Sequence, residues 1–384
     1  MFLLKTLYGA AACIIILTLS FNPSFGQENS SGETLKDNGV LNFVNNIKRS
    51  VVFLGAIEGK INNTAFLRIK GVDEQLNKEI FEELVNKGYL DAEGNISQKF
   101  RPYENGFTLK LNNKFTRFEK EIIGTLQQKL RPSFYGTGFL TKVQGIVYLI
   151  TAKHVIKDKR TDGLKSGELF IFFNSKNGTL SLRSLTRFKE EYNVDWLFHQ
   201  NPEVDIAMIP FGVDLATDDV RVLSEGLFYP SKEITELFEV FFLSYQPGIE
   251  ALKKISPIVR GGMVSIINED KTFYIDGFAF PGNSGSPVFL RFSPLAVDKE
   301  GEPYFLNLRE GLGIKLVGIM GEYLSYQEVA VSTQTGRARM VFEENTGLSK
   351  VWPVDYINEI TNSVIFKEQL KKIKDRVQKE AKNN

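Results

Sequence analysis

The chain has 384 residues, 42% of them hydrophobic and 24% charged, with a formal net charge of +1. That is enough apolar chain for one large or two moderate domains with buried cores. The near-neutral balance speaks against nucleic acid as the main partner, because phosphate binding calls for a clustered basic surface.

Residues 1–26 read as an export signal. Lys5 supplies the positive end, Leu7 to Phe21 is an apolar run, and Ser24-Phe25-Gly26 is a small-residue cleavage site before a polar stretch. The run is short for a bilayer span, so a cleaved signal is expected rather than an uncleaved anchor. Cys13 is the single cysteine and lies inside this segment, leaving the mature chain without disulfides. A chain of this length can be stable without bridges, which suits a bacterial periplasmic or secreted protein.

Residues 27–48 are expected to form a flexible leader. Ser50 to Ala56 reads as a first strand. Leu76, Ile80, Phe81, Leu84 and Val85 then recur at helical spacing after Asp73, with Gly88 as a stop. A second helical pattern carries Phe115, Phe118, Ile122, Leu126 and Leu130 on one face and halts before Pro132. From about residue 133 the pattern changes to short apolar runs between turn residues. Strands are expected at 145–151, 169–173, 206–209, 240–244, 262–267, 287–290 and 315–320, a spacing that argues for a β-barrel or sandwich. After Pro353 the chain turns helical and ends in a lysine-rich stretch, read as a solvated helix face.

Chemistry is concentrated in three segments. In Gly282-Asn283-Ser284-Gly285-Ser286-Pro287, a serine sits in a glycine-lined turn. There the backbone N–H groups of Gly282 and Ser284 could form an oxyanion hole beside the hydroxyl. In Thr151-Ala152-Lys153-His154, a strand delivers a histidine at its end. The other histidine, His199, lies in a polar loop and is read as structural. In Asp205-Ile206-Ala207, an acid opens an apolar strand, where an unpaired carboxylate would be costly. Bonding an imidazole N–H would give Asp205 its partner. Asp195, Asp218 and Asp219 remain alternatives in more polar surroundings. No metal site is expected, since two histidines and no mature cysteine leave little to bind zinc. No cofactor is expected either: Gly136-Thr137-Gly138 lacks a third glycine in register for a dinucleotide loop.

Together these blocks resemble the chymotrypsin/trypsin-like serine proteases over roughly residues 133–360. Thr151 to His154 is similar to that family's T-A-A-H block, Asp205 to Ala207 to its D-I-A block, and Gly282 to Pro287 to its G-[DN]-S-G-[GS]-P block. Tyr135 to Leu140 resembles the strand that starts many bacterial members, and Leu316 to Ile319 the strand that pairs with substrate backbone. The chain order His, Asp, Ser agrees as well. A lipase or esterase reading fails, because that fold places its histidine after the serine.

The resemblance implies an all-β core, a double six-stranded β-barrel of chymotrypsin-like type, with a helical insertion at about 73–130 and a C-terminal helix. The first barrel would span 49–212 with His154 and Asp205, the second 213–352 with Ser284, and the tail 353–384. It implies a serine endopeptidase with Ser284 as nucleophile, His154 as general base and Asp205 orienting it. A catalytically silent protease-fold binding or sensor protein of the cell envelope is the alternative.

Asn283 stands where animal trypsins carry the Asp that receives a new N-terminal ammonium, so activation by that route has no acceptor here. The pattern is closer to HtrA-type and glutamyl-endopeptidase-type enzymes, without a PDZ domain. Phe278 would floor the substrate pocket, with Met320, Gly321, Glu322 and Tyr323 along its walls, giving a shallow apolar slot. Expected partners are a protein or peptide substrate and a regulatory partner at the helical insertion, which could cover the cleft. Neither nucleic acid nor a membrane span after signal cleavage is expected.

Overall fold

A computed structural model describes residues 44–95, 109–158, 161, 165, 168–246, 254–291, 295–297, 303–305 and 315–383. The expected export signal, most of the leader and residues 96–108 of the insertion lie outside these. Residues 44–48, expected in the flexible leader, are helical because Ile47 is drawn into the core.

Two antiparallel sheets follow one another along the chain. The first holds β1 (Val51–Glu58), β2 (Arg131–Val143), β3 (Ile146–Thr151), β4 (Phe170–Asn174), β5 (Leu180–Ser184), β6 (Leu197–Phe198), β7 (Ala207–Pro210) and β8 (Leu223–Ser224). Its order is β5-β4-β1-β2-β3-β7-β6, with β8 added beside β2. This half therefore carries eight strands where six were expected, and no ladder joins β5 to β6 among the described residues. Side chains bridge that side instead. Arg183 of β5 donates to the Gly212 carbonyl at 2.7 Å and to both Asp218 oxygens at 2.9 and 2.7 Å. Asp218 is buried, so pairing both of its oxygens removes most of the penalty of placing a charge there.

The second sheet is a closed six-stranded barrel, ordered β10-β11-β16-β15-β12-β9. Its strands are β9 (Glu239–Ser244), β10 (Ile258–Ile267), β11 (Phe273–Asp276), β12 (Pro287–Leu290), β15 (Lys315–Val331) and β16 (Ala338–Pro353). A small hairpin, β13 (Leu295–Val297) with β14 (Pro303–Phe305), stands apart. Val240, Phe242, Val264, Ile275, Val288, Val317 and Met320 fill the barrel.

The helical insertion is α1 (Glu74–Asn86), then a short 3-10 turn and α2 (Glu119–Lys129). Asp73 caps α1 by accepting the Leu76 N–H at 2.8 Å, and the buried Ile80, Leu84, Ile122 and Leu126 join the first core. α3 (Lys153–Ile156) is a single turn, and α4 (Leu185–Tyr192) follows β5. The C-terminal helices α5 (Asp355–Asn362) and α6 (Val364–Asn383) return to the first core, where Phe366 stacks on Tyr148 at 5.5 Å between centroids. No described helix is long and apolar enough to cross a membrane.

Candidate active site

The histidine is placed by the end of β3. Thr151 closes the strand, Ala152 remains extended, and His154 falls on the one-turn α3. Asp205 holds it at two points: Oδ2 lies 2.6 Å from Nδ1 of the ring, and Oδ1 accepts the His154 backbone N–H at 2.8 Å. The Asp205 carbonyl also accepts the Lys153 N–H at 3.2 Å. With the carboxylate accepting at Nδ1, the proton sits there and Nε2 is left as the basic nitrogen. The alternative acids are engaged elsewhere: Asp195 with Lys189, Asp218 with Arg183, and Asp219 with Arg49. His199 pairs with Glu359 at 2.9 Å and accepts the Asn201 N–H at 3.0 Å, apart from the cavity that holds His154.

Ser284 comes from the turn that precedes β12. Gly282 and Gly285 on either side of it have φ of +94° and +86°, a region that L side chains rarely adopt. Space enforces the same choice. A Cβ on Gly285 would lie 2.0 Å from the Thr137 carbonyl oxygen, and one on Gly282 would lie 2.7 Å from the Tyr245 ring.

The turn is clamped by β2. Thr137 donates its hydroxyl to the Gly282 carbonyl at 2.7 Å and its N–H to the Ser284 carbonyl at 2.8 Å. Thr137 Oγ1 in turn accepts the Tyr245 N–H at 3.1 Å, and the Thr137 carbonyl accepts the Thr151 hydroxyl at 2.7 Å. Asn283 is fully buried. Its Oδ1 accepts the Phe280 N–H at 2.9 Å, and its Nδ2 donates to the Tyr245 carbonyl. These contacts turn the Gly282 carbonyl toward Thr137. The N–H groups of Gly282 and Ser284 have no protein acceptor among the described residues, as an oxyanion hole requires.

His154, Ser284 and Gly282 share one cavity of about 300 Å³ with Tyr135, Ala279, Phe280, Pro281, Gly321, Glu322 and Tyr323. The Ser284 hydroxyl makes no hydrogen bond to the ring in this structure. Gly321, Glu322 and Tyr323, expected along the pocket walls, are among the residues that line this cavity. Phe278 and Met320 are not: Phe278 lies on the surface, 55% exposed, and Met320 is buried in the barrel core. Met320 N–H and carbonyl are both bonded to the Ser284 turn, at Ser286 and Gly285, which directs its side chain into the barrel. Ala279 and Phe280 take the position expected of Phe278. The Tyr323 hydroxyl donates to Glu343 at 3.0 Å, and that bond, with some burial, raises its pKa. No described residue of α1 or α2 lines this cavity.

Residues 136–291 match the trypsin-like peptidase domain family. No curated protein matches the chain. Among solved structures, an HtrA-type protease, AlgW, seen with a decapeptide, is similar with 14% identity and a TM-score of 0.37. That alignment covers 85% of this chain and 66% of that one, a little under two thirds of its length. The crystal structure of Deg5 is similar with 14% identity and a TM-score of 0.36, covering 85% of this chain and 94% of that one.

Proposed function

We propose that this chain, whose residues 136–291 match the trypsin-like peptidase domain family, is a serine endopeptidase that cleaves polypeptides through an acyl-enzyme on Ser284. The observation that carries this reading is the two-point hold of Asp205 on His154, in the same cavity as a serine whose flanking N–H groups are uncommitted. His154 Nε2 takes the Ser284 proton as Oγ attacks the scissile carbonyl, and Asp205 stabilises the imidazolium that forms. The carbonyl oxygen becomes an oxyanion facing the N–H groups of Gly282 and Ser284, a contribution worth about 3–4 kcal/mol per donor. His154 then delivers the proton to the leaving amine, and water repeats the sequence to release the acid.

Substrate enters along the wall at Gly321 to Tyr323, with its acyl-side residue between Ala279, Phe280 and Tyr323. That slot suits small or aliphatic side chains. The first sheet, which draws β8 from beyond the expected bound at 212, and the closed second barrel act as one unit, residues 1–26 export the chain to the periplasm or beyond, and α1 with α2 is where a regulatory partner would bind.

A fluorophosphonate probe should label the mature protein, and Ser284→Ala should abolish labelling while leaving the circular dichroism unchanged. The missing Ser284–His154 hydrogen bond favours a second reading, a silent peptide-binding protein. Hydrogen bonds of this kind are often long before substrate arrives and tighten afterwards, so catalysis is preferred. A wild type that takes up no probe would decide for binding.

A further inference from the structure

The loop that delivers Asp205 has little backbone pairing to hold it. β6 pairs with β7 at Leu197↔Met208 and Phe198↔Ala207, and residues 199–206 between them join no described ladder. Side chains set their course instead, in a relay that begins at His199. Nδ1 of His199 accepts the Asn201 N–H at 3.0 Å, and Asn201 Oδ1 accepts the Glu203 N–H at 3.0 Å. The Asn201 carbonyl accepts the Val204 N–H at 3.2 Å, and Asp205 comes next. Lys153 grips the far end, donating its Nζ to the Pro202 carbonyl and its N–H to the Asp205 carbonyl.

The near end of the relay is anchored outside the loop. A backbone N–H can only donate, so Nδ1 of His199 is the unprotonated nitrogen and Nε2 carries the proton. That proton goes to Glu359 of α5, at 2.9 Å. Burial by itself would raise the Glu359 pKa, but its bonds with His199 and Lys271 outweigh this and hold it below the ordinary value, leaving a charged acceptor. Lys271, in the turn between β10 and β11, meets the second Glu359 oxygen at 3.3 Å. The His199 ring also stands edge-on to Tyr356, at 5.3 Å between centroids, and the Tyr356 hydroxyl donates to the Asp270 carbonyl at 2.6 Å. Trp352 of β16 packs edge-on against Tyr356 at 5.7 Å. α5 is therefore seated on the second barrel, and His199 is the point where the Asp205 loop is fastened to it.

We propose that His199 is a positioning residue: pinned by Glu359, it holds the loop in the conformation that brings the Asp205 carboxylate to His154. His199 lines no part of the Ser284 cavity, so its effect passes through the loop. Loss of the pin lets Asp205 drift from His154 Nδ1, and a drift of about 1 Å is enough for a hundredfold loss of rate. Turnover falls while substrate affinity is kept. The proposal rests on Asp205 serving His154 in catalysis, but one of its tests reads the Asp205–His154 bond with no substrate present.

His199→Ala and Glu359→Ala should each lower kcat on a peptide ester by about tenfold to a hundredfold, with KM within about twofold. Both remove one contact, so the double variant should fall within about twofold of the slower single. Glu359→Gln keeps an oxygen for the His199 Nε2–H and should retain kcat within about threefold. The Glu359 side chain is 43% exposed, so its variants decide the matter if His199→Ala does not fold. Leu370→Ala loosens the C-terminal helices at another buried point; it should lower the urea midpoint and leave kcat within about twofold. The second readout needs no turnover. The His154 Nδ1 proton, in a 2.6 Å contact with Asp205, should give a far-downfield proton NMR signal that is absent from His154→Ala. His199→Ala and Glu359→Ala should move it upfield or broaden it, whereas Glu359→Gln and Leu370→Ala should leave it in place. A wild type without peptidase activity would end the endopeptidase reading, and the NMR comparison would still decide this one. An unmoved signal with unchanged kcat in both alanine variants overturns the proposal. So do additive losses in the double variant, or equal losses in Leu370→Ala, since His199 would then matter for stability alone.

Discussion

Asn283→Asp should make stability depend on pH in a direction set by two hydrogen bonds. The fully buried Asn283 amide uses both of its ends, accepting from the Phe280 N–H at 2.9 Å and donating to the Tyr245 carbonyl. An ionised carboxylate in its place would keep the first bond and set an oxygen against a carbonyl oxygen at the second. An acceptor left unsatisfied in this way costs about 1–3 kcal/mol, and the buried charge adds to it. A loss of about 3 kcal/mol corresponds to roughly two pH units, lifting the introduced carboxyl from about 3.9 to about 6 in the folded state. A native pKa raised above the unfolded one means that the loss is absent below about pH 4, grows up to about pH 6, and is complete above. The protonated form of the new side chain can donate to the Tyr245 carbonyl and restores the wild-type pattern. Urea unfolding followed by tryptophan fluorescence, at half-unit steps from pH 4 to 8 with wild type alongside, measures this difference. A difference that stays flat with pH, or below about 0.5 kcal/mol throughout, would refute the reasoning.

Four further outcomes are expected. Asp205→Asn should lower kcat by about ten-thousandfold near neutral pH with little change in folding, because the amide favours the wrong imidazole tautomer; steady-state kinetics on a peptide ester would show it. Gly285→Ala should cost more than about 3 kcal/mol in urea, since its Cβ would lie 2.0 Å from Thr137 O and 2.4 Å from Thr151 Oγ1. Arg183→Met should cost about 3–5 kcal/mol by stranding the buried Asp218 carboxylate, with much of the loss recovered in the Asp218→Asn background. Tyr148→Phe should be neutral or stabilising by up to about 1 kcal/mol, because the buried hydroxyl has no partner among the described residues. Burial pushes the Tyr148 pKa up, so wild type should lose stability as pH rises past about 10, a component that Tyr148→Phe lacks.

His154, Asp205 and Ser284 were legible because each stands in a short block where few residue types serve the geometry. The strands around them were legible because one or both of their faces are buried and their apolar runs are uninterrupted. The outer part of β15 with β16 was not, because residues exposed on both faces carry no alternation to read. β5, β6 and β8 of the first sheet were not foreseen either: β6 and β8 are two residues long each, too short for any periodicity, and β8 is held by two pairings to β2. Phe278, expected as the pocket floor, does not line the cavity that holds Ser284, whereas its neighbours Ala279 and Phe280 do. Met320 faces into the barrel because its backbone is bonded to Ser286 and Gly285, a constraint that side-chain chemistry does not reveal. Thr137 was visible only as part of a glycine-flanked strand, since nothing in its own type announces that it grips a turn 145 residues away.

That grip accounts for how two separate sheets produce one site. The proposed base and acid, His154 and Asp205, come from the first sheet and the proposed nucleophile, Ser284, from the second, so their alignment depends on the seam. One hairpin spans it. In β2 and β3, Gly138 pairs with Thr151, which places Thr137 beside the nucleophile turn and Thr151 three residues before His154. Thr137 bonds the carbonyls on both sides of Asn283, while Thr151 bonds Thr137 and stands against Gly285. Both threonines are fully buried, so neither bond competes with water. The segment that clamps the serine turn is thus the segment that carries the histidine, and a shift of the second sheet must break these bonds before it can separate the pair. Since a misplacement of about 1 Å can cost a hundredfold in rate, a direct tie of this kind is what the proposed catalysis calls for. The turn is braced by Thr137 and by the neutral Asn283 amide.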